Sequence, residues 1–73
     1  MAARRRALAT DLAETRRALG LSQTQVAARM GTSQSAVARL EAGELDARLS
    51  TVERYAAAVG AVLHWDLRKE ENP

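Results

Sequence analysis

The chain contains no cysteine, no phenylalanine, one tryptophan, one tyrosine and a single proline at its last position. Without cysteine, neither a disulfide nor a Cys-ligated zinc can staple the fold. One histidine, His64, leaves no ligand set for a metal cluster. No apolar run approaches the ~20 residues of a membrane span. The opening stretch, Met1 to Thr10, lacks the apolar core of a secretory signal. A cytoplasmic chain with no membrane partner and no cofactor is the expectation. At 73 residues there is room for one small domain, not for a deep substrate pocket as well. An enzyme or a small-molecule substrate is therefore not expected. Ser, Asp and His all occur, but no spacing suggests a triad, which geometry rather than inventory defines. His64 reads as a surface residue.

What is abundant is alanine. Hydrophobic residues reach 47% while aromatics are only 3%, so much of the apolar content is the best helix-forming residue, and an all-α fold is favoured before any periodicity is read. Charge is uneven along the chain. Residues 1–43 hold seven arginines against three acids, whereas residues 44–73 hold four basic residues against six acids. A basic front half suggests a polyanion on one side, although charge runs are more often solvated faces.

Four glycines punctuate the helical patterns: Gly20, Gly31, Gly43 and Gly60. Glycine commonly sits just past a helix end, so four helices are predicted. The first runs from about Arg4 to Leu19, with Leu8, Leu12, Thr15 and Leu19 on one face. The second follows Ser22, which with Gln25 makes a capping box, and buries Val26, Ala27 and Met30. The third starts near Ser33 and turns Val37 and Leu40 inward. The fourth is signalled by a second capping box, Ser50 with Glu53, and buries Val52, Tyr55, Ala56 and Val59. After Gly60 the period changes. Leu63, Trp65 and Leu67 alternate with smaller or polar neighbours, as in a strand, and Glu70 to Pro73 reads as a frayed tail.

Helices two and three are short, and only Gly31-Thr32-Ser33 separates them. Such a pair, joined by a glycine-containing turn, fits a helix-turn-helix. Ala27 supplies the small side chain needed where the helices cross. With Val37 facing inward, Ser35, Ala38, Arg39 and Ala42 face outward, and Gln34 lies in the exposed first turn. This small, polar ridge can enter the major groove, about 12 Å wide. There a glutamine amide can pair with adenine, arginine with guanine, and serine with either. The backbone N–H groups at the starts of helices two and three favour phosphate oxygens. The bland reading makes Gln23 and Gln34 surface residues and Arg39 a solvated side chain. Arg4-Arg5-Arg6 is either a solubilising end or an arm touching DNA.

These residues resemble a known family. Leu21-Ser22-Gln23, Val26-Ala27, Met30-Gly31, Gln34-Ser35, Val37, Leu40 and Gly43 are similar to the XRE-type helix-turn-helix domains of the lambda-type repressors and Cro, over roughly residues 8–60. The resemblance implies a compact four-helix, lambda-repressor-like fold, with residues 1–60 as the DNA-binding domain and residues 23–42 as its helix-turn-helix unit. It implies base reading by Gln34, Ser35 and Arg39. It implies phosphate contact from Gln23, which also steadies Gln34. Phosphate contact is expected as well from Thr24 and Ser33 at the starts of helices two and three, and from Arg48 in the loop after helix three. Repressors of this kind often pair an arginine with a glutamate at the positions of Arg16 and Glu41. Arg16 lies one turn beyond Leu12 and Glu41 borders the inward side of the third helix, so a partly buried ion pair is expected.

The function implied is a sequence-specific transcriptional repressor, binding a palindromic operator in double-stranded DNA as a homodimer. Residues 61–73 form the dimerisation segment in this reading. A lone strand has no partner in an otherwise helical chain, and pairing with a second copy would cover its edge. Leu63, Trp65 and Leu67 are then interface residues, although simpler repressors place a short helix here. Strand-ending relatives include antitoxins, so the alternative is an antitoxin that binds a toxin protein and represses its own operon.

Overall fold

In a computed structural model, which describes residues 2–44 and 48–61, every regular element is a helix. They run α1 Ala2–Ala18, α2 Gln23–Met30, α3 Gln34–Glu41 and α4 Leu49–Ala58. The predicted all-α, four-helix class holds, and each helix is followed by one of the four glycines at positive φ. The segment carrying Leu63, Trp65 and Leu67 lies outside the described residues.

All four helices stop in the same way. Past α2, the Thr32 N–H donates to the Ala27 carbonyl at 2.9 Å and the Gly31 N–H to the Ala28 carbonyl at 3.3 Å. This is the Schellman pattern, and it needs the left-handed φ of 71° that Gly31 adopts without a Cβ penalty. The same pair of bonds recurs at Gly20–Leu21, Gly43–Glu44 and Gly60–Ala61. Leu21 and Ala61, each just beyond its glycine, pack back onto the core.

The starts differ. Ser22 caps α2 in a complete capping box: its Oγ accepts from the Gln25 N–H at 3.0 Å, and Gln25 Oε1 accepts from the Ser22 N–H at 2.7 Å. Ser33 Oγ caps α3 by accepting from the Ala36 N–H at 3.1 Å. The expected box at Ser50 and Glu53 does not form. The N-cap of α4 is Arg48, with no side-chain cap bond, and its carbonyl accepts from Thr51 and Val52. Ser50 therefore already stands inside the first turn, where a serine cannot act as the extended-backbone cap the box requires.

The core is built from Leu12, Val26, Ala27, Met30, Val37, Leu40, Val52, Tyr55 and Val59. Helix α2 packs on α3 and α4, and α3 packs on α1. The inward faces expected for α2, α3 and α4 are the faces buried. In α1 the expected stripe is corrected: Leu19 is 54% exposed, and the buried row is Ala9, Leu12, Ala13 and Arg16. Leu19 lies beyond the last helical residue, so the 3.6-residue period no longer carries it inward.

Candidate nucleic-acid interface

Helix α3 has two chemically distinct sides. Val37 and Leu40 are buried, whereas Gln34, Ser35 and Arg39 are exposed; Ala38 is half-buried and Ala42, just past the helix, is exposed. Both α2 and α3 open with the same pair of residues, Ser22-Gln23 and Ser33-Gln34, so each glutamine occupies the first helical position after a serine cap. The helix crossing brings these two first turns together. Gln34 Nε2 donates to Gln23 Oε1 at 2.6 Å. Ser33 Oγ lies 3.2 Å from Ser35 Oγ, so the two hydroxyls share a hydrogen bond. Each serine cap takes the third N–H of its helix, so the two N–H groups before it are left uncapped by the serine at the positive end of the helix dipole.

Behind this polar edge lies a buried ionic cluster. Arg16 Nε donates to Glu41 Oε2 at 2.6 Å, and Nη2 donates to Oε1 at 2.9 Å, a bidentate pairing of two nearly buried side chains. Arg16 Nη1 also donates to the Leu21 carbonyl at 2.9 Å. The Tyr55 hydroxyl donates to Glu41 Oε2, and Gln23 Nε2 donates to Glu41 Oε1 at 2.9 Å. Glu41 thus takes four hydrogen bonds from three residues on α1, α2 and α4. It stands four residues after Val37, on the inward side of α3, which is why a carboxylate can reach the core from a surface-facing helix.

The cluster also shifts its own titrations. Burial pushes the Glu41 carboxyl up, but hydrogen bonds from Arg16, Tyr55 and Gln23, with the charge of Arg16, outweigh it and hold the group below its ordinary value. The hydrogen bond to Glu41 raises Arg16 against the opposing effect of burial. Burial first, then the bond to Glu41, pushes the Tyr55 hydroxyl well above its ordinary value. At neutral pH the site therefore holds a carboxylate, a guanidinium and a neutral phenol. Among the described residues, no buried side-chain nitrogen or oxygen lacks a partner.

The remaining residues expected to face DNA are all exposed. Thr24 and Ser33 are exposed in or beside the first turns, and Arg48 is exposed at the start of α4. Two participants went unrecognised in the sequence: Gln23 as a partner of Glu41, and the Tyr55 hydroxyl. A tyrosine in an otherwise aliphatic buried row is itself a signal, because a buried phenol O–H needs an acceptor. Arg29 was also missed; its Nη1 donates to the Ala58 carbonyl at 2.8 Å and ties the ends of α2 and α4 together.

A protein-family model described as Helix-turn-helix matches residues 12–62. The chain belongs to that family, the XRE-type, lambda repressor- and Cro-like helix-turn-helix domains. No curated protein and no solved structure gives a match. The helix-turn-helix assignment covers all of α2, α3 and α4 and the part of α1 that carries Arg16. It supports a DNA-binding transcriptional regulator, from a family that is typically non-enzymatic. No helix among the described residues of this helix-turn-helix protein is long and apolar enough to cross a membrane.

Proposed function

We propose that this regulator is a sequence-specific repressor that binds a palindromic operator as a homodimer, with α3 in the major groove and each subunit on one half-site. The observation that carries the reading is the exposed ridge of Gln34, Ser35 and Arg39, with Gln34 already held in place by Gln23. A pre-oriented amide gives up little freedom when it meets a base, so its hydrogen bonds count toward discrimination. Gln23, Thr24, Ser33 and Arg48 meet phosphates around that ridge and set its register. Residues 61–73 supply the dimer contact through Leu63, Trp65 and Leu67, which spaces the half-site centres about 34–36 Å apart, one helical turn.

Selection of bound sites from a random duplex pool tests this reading. A two-fold symmetric consensus is expected, with affinity falling steeply as salt rises. Gln34→Ala weakens the selected duplex by ~1–3 kcal/mol and flattens preference at one base pair per half-site. An equal loss on selected and random DNA removes Gln34 from base reading. Deletion of residues 61–73 converts the dimer to monomer in sedimentation, and an unchanged dimer rejects the C-terminal interface.

A further inference from the structure

The side chains of Glu41, Gln23 and Gln34 form a chain of directed hydrogen bonds from the core to the exposed ridge. Glu41 Oε1 accepts from Gln23 Nε2 at 2.9 Å, and Gln23 Oε1 accepts from Gln34 Nε2 at 2.6 Å. A carboxylate can only accept, whereas an amide offers a donor end and an acceptor end. Turning the Gln23 amide over would set its oxygen against a carboxylate oxygen, so Glu41 leaves it one orientation. That orientation aims the Gln23 oxygen at Gln34, and Gln34 must then spend one N–H inward. What Gln34 still shows outward is one N–H and its Oε1.

We infer that Glu41, from inside the fold, fixes the donor–acceptor polarity of Gln34 and thereby selects adenine over guanine at the base pair Gln34 faces. Adenine presents an acceptor, N7, beside a donor, the N6 amino group; guanine presents two acceptors, N7 and O6. The pinned amide matches the first edge. If Gln23 turned over, its N–H would take Gln34 Oε1 and leave both Gln34 N–H groups outward, which matches guanine. Glu41 is a positioning residue here, since it touches no base. Its neighbours keep it ionised and therefore an acceptor only, because Arg16 grips both carboxylate oxygens and Tyr55 donates to Oε2. The inference rests on base reading by Gln34 and adds the device that sets what is read.

The test starts from a duplex selected by the wild-type chain, at the base pair that Gln34→Ala flattens. Affinities for the A·T and G·C versions of that pair are compared for wild type, Glu41→Gln, Gln23→Met and Arg16→Lys, at a temperature where circular dichroism shows each folded. Wild type should prefer adenine by roughly 5- to 150-fold, the range of a good bidentate contact. Glu41→Gln, whose amide can turn either way, and Gln23→Met, which cuts the chain, should each lose most of that ratio. Arg16→Lys should melt earlier yet keep the ratio, because the carboxylate remains. Should Glu41→Gln fold too poorly, Gln23→Met decides alone, since it leaves the Arg16–Glu41–Tyr55 bonds in place. The relay is overturned if both variants retain the ratio, if Arg16→Lys loses it equally, or if wild type selects guanine. Should Gln34→Ala flatten no position, base reading itself fails and the relay falls with it, a separate and recognisable result.

Discussion

The interior has two regions that hold the same four helices by different physics. On one side Val26, Ala27, Met30, Val37, Leu40, Val52 and Val59 form an apolar cluster. On the other, Arg16, Glu41, Tyr55 and Gln23 form a hydrogen-bonded knot that joins α1, α4 and the first turn of α2 to the last residue of α3. Apolar packing is non-directional and scales with buried area, so it holds helices together without dictating how a polar side chain is turned. The knot is directional, because each of its hydrogen bonds sets one donor against an oxygen of Glu41. Its placement is instructive. The apolar cluster sets how firmly the helices associate, and the knot lies behind the half-buried Gln23 and the exposed Gln34.

Breaking the knot from one side should show the largest effect. Glu41→Gln leaves Arg16 buried without its counter-ion and should lose ~3–5 kcal/mol in urea unfolding, and an unchanged midpoint would refute the importance of the pair. Acid tests the same carboxylate without mutation. Its folded value lies below the ordinary 4.5, so the stability it contributes is present above about pH 4.5 and is lost as pH falls through the folded value. Denaturation midpoints measured from pH 6 downward should decline for wild type and flatten for Glu41→Gln. In the apolar region, Val37→Ala removes two buried methyl groups and should cost about 2 kcal/mol while leaving base preference unaltered. A change in preference there would erase the distinction between the two regions. The smallest effects belong to the caps. Ser22→Ala and Ser33→Ala should each cost ~1 kcal/mol. Ser50→Ala, one residue inside α4, should change stability by less than ~0.5 kcal/mol.

The two regions were also unequally legible in the sequence. Spacing of apolar residues revealed the inward faces of α2, α3 and α4, because burial follows the helical period whatever the partner is. The glycines marked the helix ends for an equally local reason, a positive φ at each stop. Local rules failed at two places. Leu19 continues the α1 pattern in sequence but falls after the helix has ended, and Ser50 has the right spacing to Glu53 but the wrong backbone position. The ion pair of Arg16 with Glu41 needed both helical position, which turns each residue toward the inward side of its helix, and family resemblance, which pairs them. The convergence of Gln23 and Tyr55 on the same carboxylate was not foreseen, since it depends on how three helices cross and leaves no trace in any single stretch of chain.

Tyr55 is the chain's one tyrosine, fully buried with its hydroxyl on Glu41. Its raised folded value means that a neutral phenol is favoured by the native state, so alkali begins to erode stability once unfolded chains can ionise, above about pH 10. Tyrosinate has its own ultraviolet band. An alkaline titration followed at that wavelength therefore reports on one atom at the centre of the molecule, and the colour should appear together with loss of helix rather than before it. The protein carries a built-in optical gauge of whether the end of α3 is still anchored to α4.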